Sequence, residues 1–220
     1  MPGRKGTSHQ PDEGSSLSHE RELVELASAG NQRAIGALYD IYVVPLYRFC
    51  LSKLSNETDA EDLTEEIFLK AITSIEKFTW RDTKRKRDDE SSEFNPFRAW
   101  LFRIARNQII STYRKRDTRS RATVHYEDEP VWIADQAAGP AELTERKFLL
   151  EQATAAIGQL PESQRDVIQL RFMGDMNVNE VAALLGKEPG NVRVLQHKAL
   201  KNLRTILAGE FDLQGVESQR

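Results

Sequence analysis

Eight lysines and arginines lie between Arg98 and Arg121 (positions 98, 103, 106, 114, 115, 116, 119 and 121), against one acid, Asp117. Cations at that density attract phosphate. The chain as a whole carries a net charge of -3 and has a pI near 5.9, so the segregation of charge says more than its sum. At helical period Phe97, Trp100, Leu101, Ile104, Gln108 and Ile109 fall near one face. Arg103, Arg106, Asn107, Ser111 and Arg114 spread over the rest. The segment predicts a helix that is apolar on one side and cationic on the other. A solvated basic face and a membrane-surface helix share this pattern. Two further clusters favour nucleic acid.

The first cluster is acidic. Asp59, Glu61, Asp62, Glu65 and Glu66 fall within eight residues with no base among them. The helix dipole accounts for acids in a first turn, but Asp62, Glu65 and Glu66 continue past it. An acidic face repels DNA, so it reads as a protein-docking site, with a solvated surface as the plain alternative. The second cluster is a helix-turn-helix pattern. Asn177 and Glu180 have capping-box spacing, Gly186 suits a left-handed turn residue, and Pro189 suits a first helical position. From Pro189 to Leu207 there are four bases and no acid. Val192, Leu195, Ala199 and Leu203 repeat at core spacing, which leaves Gly190, Asn191, Arg193, Val194, Gln196, His197, Lys198 and Lys201 facing outward. Asn, Arg and Gln early in such a helix read base edges, and later cations meet phosphates.

No enzymatic constellation accompanies these clusters. His9, His19, His125 and His197 are isolated and have no zinc-type spacing to Cys50, the only cysteine. There is no glycine-rich phosphate loop and no nucleophile elbow. The expectation is a non-enzyme without cofactor or metal. With 39% hydrophobic and 30% charged residues, no signal peptide and no run long enough to span a bilayer, a cytoplasmic protein without membrane insertion is expected.

The elements that must position these residues are helical. Periodicity predicts helices over Glu20–Ala29, from a cap at Asn31 to about Leu54, from a Thr58/Glu61 capping box to about Lys77, and from near Pro96 through the basic segment. Four more follow over Glu142–Ile157, Pro161–Phe172, Val178–Leu185 and Pro189–Leu207. Residues 1–19 are polar and rich in Gly, Ser and Pro, and read as a disordered tail. Residues 81–93 hold five bases and five acids with no apolar residue, and read as a mobile loop. Residues 118–141 lack a period and read as a linker. The fold class is all-α, with two small helical domains at 20–117 and 142–208 and a C-terminal tail at 209–220.

The order of three segments, DAEDLTEEIFLKA, FRAWLFRIARNQIISTYRKR and LPESQRDVIQLRF, followed by NEVAALLGKEPGNVRVLQHKAL, resembles the extracytoplasmic-function (ECF) group of bacterial sigma factors in the sigma-70 family. The resemblance covers nearly all of Glu22 to Leu207. It implies a dissociable specificity subunit that binds the two large catalytic subunits of core RNA polymerase, recognises −35 and −10 promoter DNA and melts the latter. An anti-sigma factor is an implied partner. Asp59, Glu61, Asp62 and Glu66 match the family's polymerase-docking helix; Glu65 departs from a common glutamine and adds to the acidic face. Arg103, Arg106 and Asn107, with Arg114 further along, match the −10 helix beside Trp100. Phe94, Asn95 and Phe97 are placed near the pocket for an unstacked base, although the long insert 81–93 replaces the family's usual short loop there. Pro189 to Lys201 match the −35 recognition helix. The alternative function is a stand-alone helix-turn-helix regulator that does not bind polymerase core.

Overall fold

The computed structural model describes residues 13–80, 94–120 and 152–217. The insert 81–93, residues 121–141 of the linker, residues 142–151 of the expected helix Glu142–Ile157 and the outermost tails lie outside the described residues. Among the described residues every regular element is a helix. The order is α1 (Glu13–Ser28), α2 (Gln32–Leu54), α3 (Glu57–Ser74, extended by a 3-10 turn Ile75–Lys77), α4 (Pro96–Ser120), α5 (152–158), α6 (Glu162–Ile168), α7 (Val178–Leu185) and α8 (Pro189–Glu217). A π-helical turn, Gln169–Met173, continues α6.

Local signals explain most of the boundaries. Asn31 accepts hydrogen bonds from the N–H groups of Arg33 and Ala34 and starts α2, as its side chain predicts. Helix α3 starts differently from the expectation. The cap is Asn56, whose side chain accepts from Asp59 N, and Thr58 lies inside the helix. Asn56 is extended, with φ −138° and ψ 126°, the conformation a cap requires. Ser55 just before it is left-handed and closes α2. Helix α1 begins at Glu13, earlier than the expected Glu20, so part of the segment read as a tail is helical. Helix α8 runs to Glu217, past the expected end near Leu207 and into the segment read as a C-terminal tail.

Helices α1 to α4 form a bundle around the buried residues Leu38, Tyr42, Leu46, Phe49, Ile67 and Phe102. Helix α2 is long and apolar enough to cross a membrane, but one face of it packs into this core. The second half joins the same core. Val167, Leu170, Met176, Val181, Ala182 and Val192 belong to one continuous buried cluster with residues of α1 to α4. The second half packs directly on the first: α7 lies against α4, and the π turn lies against α2. A smaller cluster of Ile157, Leu160, Ile168 and Ala199 holds α5, α6 and α8 together.

Cys50 is fully buried in the bundle, and burial pushes its thiol up to about 12. We expect it to resist iodoacetamide at pH 8 in the native protein and to react readily in denaturant. Stoichiometric alkylation of the native chain, read by mass spectrometry, would contradict this burial.

Candidate nucleic-acid interface

Helix α4 divides as its periodicity predicts. Leu101, Phe102, Ala105 and Ile109 are buried, and Arg103, Arg106, Asn107 and Arg114 are exposed on the other side. The helix is braced against α3 by Lys70 Nζ donating to Gln108 Oε1 at 2.9 Å. Trp100 is half-buried in an aromatic cluster, with ring centroids 5.2 Å from Phe78 and 5.5 Å from Phe97. Trp80 meets Phe78 edge-on at 6.2 Å. Phe78 and Trp80 were missed at the sequence level. The signal was the aromatic pair flanking Thr79 just before the charged insert, where no helical period marks it.

The residues expected near the base pocket are placed unequally. Phe94 is half-buried, whereas Phe97 and Asn95 are 2% and 4% exposed. Phe97 is a core residue, packed edge-on to Tyr42 and Phe78. Asn95 caps α4 by accepting from Arg98 N at 3.0 Å. Its amide donates to Glu20 Oε1 at 2.5 Å and to Tyr42 Oη at 3.1 Å, and the Tyr42 hydroxyl also donates to Glu20. In this arrangement Asn95 and Phe97 face protein. Asn95 is a strong cap one residue before Pro96, and Phe97 lies on the apolar face, so both are drawn inward.

The acidic cluster lies along the outer face of α3. Glu61, Asp62, Glu65 and Glu66 are exposed, and Asp59 is half-buried beside the Asn56 cap. Leu69, 66% exposed, continues that stripe and was not singled out from the sequence. The acidic and cationic stripes thus belong to neighbouring helices of one bundle.

The helix-turn-helix forms with its expected caps. Asn177 Oδ1 accepts from Glu180 N at 2.9 Å, and Glu180 Oε2 accepts from Asn177 N at 2.8 Å. Gly186 is left-handed at φ 65° and turns the chain toward α8. On α8, Val192 and Ala199 are buried, while Gly190, Asn191, Val194, His197, Lys198 and Lys201 are exposed. Pro189, Arg193 and Gln196 are half-buried. Gln196 is oriented by a residue that sequence reasoning did not find. Arg171, in the π turn, donates from Nε to Gln196 Oε1 at 3.1 Å and from Nη1 to the Met176 carbonyl. Its oxygen engaged, Gln196 keeps its amide N–H groups for other acceptors.

A polar seam joins the two halves. Glu180 Oε1 accepts from Asn95 N at 3.0 Å, and Arg98 Nη1 donates to the Asp175 carbonyl at 2.7 Å. The Arg98 guanidinium stands 5.7 Å from the centre of the Tyr42 ring. Lys53 pairs with Asp166 at 2.6 Å, and the Gln169 amide donates to the Ser52 carbonyl at 2.6 Å. Burial pushes the Glu180 carboxyl above its usual range, partly offset by Arg98 and the two backbone N–H groups.

Comparison with known proteins places these features. Residues 38–119 match the family Sigma-70 region 2, and residues 156–205 match Sigma-70, region 4. The ECF RNA polymerase sigma factor BldN of Streptomyces coelicolor is 31% identical over 198 residues, covering 90% of this chain and 69% of that protein. The ECF RNA polymerase sigma factor ShbA of Streptomyces griseus is 32% identical over 193 residues, covering 84% and 93% respectively. The structure of CnrH in complex with the cytosolic domain of CnrY is similar at a TM-score of 0.57 and 27% identity, covering 86% of this chain and 97% of that one.

Replacing Glu180 with alanine removes the carboxylate that accepts from the buried Asn95 N–H and the half-buried Asn177 N–H. We expect a loss of about 3 kcal/mol in urea unfolding, the sum of a lost cap and an unpaired buried donor. A loss below about 0.5 kcal/mol would show that water replaces the carboxylate.

Proposed function

The chain belongs to the ECF group of the sigma-70 family of RNA polymerase sigma factors, and from that premise we propose how its surfaces divide the work. It binds core RNA polymerase, confers promoter specificity and initiates DNA-templated transcription. The expected boundaries assign polymerase docking and the −10 element to residues 20–117, and the −35 element to residues 142–208. In this reading the chain catalyses nothing itself and acts in the cytoplasm, where polymerase and promoter DNA are found.

The observation that carries the division is the segregation of charge on one small bundle. The exposed acids Glu61, Asp62, Glu65 and Glu66 on α3, with Asp59 beside them, form a face that repels DNA and suits a protein surface. The Leu69 side chain beside them adds an apolar contact. Arg103, Arg106, Asn107 and Arg114 on α4 form a face that tracks a phosphate backbone. The adjacent aromatic cluster, with Trp100 at its edge and Phe94 near its start, supplies flat surfaces on which an unstacked base can lie. Melting requires both: a cationic track for the single strand, and a surface that replaces the stacking a base loses.

On α8, Asn191, Arg193 and Gln196 lie near the helix start, where a recognition helix reaches base edges. Gly190 and Pro189 let the backbone approach closely, and Val194 offers an apolar contact to a thymine methyl. His197, Lys198 and Lys201 lie further along and meet phosphates in this reading. An anti-sigma factor is the regulator we infer. The similar chain CnrH, held by the cytosolic domain of CnrY, is an instance of such a chain with a protein partner.

Reversing charge in Asp62→Lys/Glu66→Lys should weaken binding to core polymerase at least tenfold and leave the affinity of the free chain for −35 duplex unchanged. Equal core affinity in a sizing or fluorescence titration would defeat the docking assignment. Arg193→Ala should relax base preference within the −35 element, with about 1–3 kcal/mol of discrimination lost at one position. A change confined to the salt dependence of binding would make Arg193 a phosphate contact instead.

A further inference from the structure

We propose that Arg171 sets a base preference of the −35 recognition helix without touching DNA, by holding the Gln196 amide so that only its N–H groups face the major groove. The inference rests on the reading of α8 as the −35 helix and adds a positioning residue that lies outside that helix. Three observations carry it.

The first is the place of Gln196 on α8. Val192 and Ala199 are buried, and Val194 and His197 are exposed. Pro189, Arg193 and Gln196 are half-buried and form the border between those two faces. A glutamine on that border can turn one end of its amide inward and the other outward.

The second is the partner on the inner side. Arg171 Nε donates to Gln196 Oε1 at 3.1 Å. A guanidinium has donors only, so the atom it meets is the amide oxygen. An unheld glutamine amide turns over about its last bond and exchanges its two ends. Here that turn would set the amide N–H groups against the N–H of a cation. Among the described residues no protein group accepts from Gln196 Nε2.

The third is the fixing of Arg171 itself. Its Nη1 donates to the Met176 carbonyl, in the loop just before the Asn177 cap. Met176 is fully buried, and its N–H donates to the Leu170 carbonyl at 3.1 Å. The π turn Gln169–Met173 thus sets one planar guanidinium between the loop that opens the helix-turn-helix and a side chain of the recognition helix. A lysine keeps the charge but has no such fork to span both acceptors.

The consequence is one of base chemistry. In the major groove guanine offers two acceptors, N7 and O6, whereas adenine offers the acceptor N7 beside the donor N6–H. A glutamine free to present both ends favours adenine, donating to N7 and accepting from N6–H. Held by Arg171, Gln196 presents N–H groups, and the positive charge beside its oxygen opposes the approach of a second donor. It therefore favours guanine over adenine in the base pair it faces.

The test uses the full chain bound to cognate core polymerase. Promoter duplexes are randomised one −35 position at a time, and bound fractions are counted by sequencing. Gln196→Ala identifies the pair that Gln196 faces, as the position where preference collapses. There the natural chain should favour guanine over adenine by roughly fivefold or more. Arg171→Lys should bring that ratio within about twofold of equality or turn it toward adenine, and leave other positions and the salt dependence unchanged. In the Gln196→Ala background the same exchange should alter no base ratio, because its effect passes through Gln196. Each ratio is taken within one variant, so it does not depend on how much of that variant is folded.

A guanine preference that survives Arg171→Lys would overturn the proposal. So would a natural preference for adenine at that pair, or a Gln196→Ala exchange that leaves every position unchanged. An effect of Arg171→Lys that persists without Gln196 would also overturn it and make Arg171 a direct DNA contact. If the natural chain shows no preference at any −35 position, the promoter reading of α8 fails and the proposal fails with it; preference elsewhere but none at Gln196 defeats the proposal alone.

Discussion

A carboxylate that is 1% exposed must receive every hydrogen bond from protein, and Glu180 organises the molecule around that requirement. One oxygen takes the Asn177 N–H and completes the capping box that begins the helix-turn-helix. The other takes the Asn95 N–H at the mouth of α4. Asn95 in turn caps α4 and donates to Glu20 and Tyr42, which fixes α1 and α2. Arg98 supplies positive charge beside this group of acceptors while holding the Asp175 carbonyl. One buried charge thus sets the start of two helices and the relation between the halves. A buried network is tolerable only when nearly all its members are satisfied, which makes the arrangement all-or-none.

Around that centre, the surface keeps charges of opposite sign on different helices. The acids of α3 and the bases of α4 share a bundle, and Lys70 Nζ of α3 donates to the neutral Gln108 oxygen of α4. Acids exposed on α3 and arginines exposed on α4 give the bundle a separation of charge between two faces. A subunit that must join a protein and a nucleic acid in the same assembly needs that separation.

The π turn at Gln169–Met173 links the two roles of the second half. Widening the helix by a residue per turn lets Gln169 reach Ser52 across the seam while Arg171 reaches Gln196 on the recognition helix and Met176 in the loop. The same short segment therefore touches both the inter-half contact and a residue proposed to face bases.

Local chemistry determined the helices. Asn31, Pro96, Asn177 and Gly186 act as their side chains dictate, because caps and left-handed turns depend on neighbours within four residues. The split of α4 into buried and cationic faces and the exposure of the acidic stripe on α3 were likewise legible as periodicity. Where two local signals competed, as with Asn56 and Thr58, the periodic pattern alone did not decide between them. Contacts between residues far apart in the chain were not legible at all. The burial of Asn95, the orientation of Gln196 by Arg171, the aromatic cluster reaching Phe78 and Trp80, and the packing of α7 on α4 all depend on surfaces meeting. A capping residue looks the same in sequence whether its remaining hydrogen bonds go to water or to a carboxylate 85 residues away. Only the tertiary structure decided that they go to Glu180.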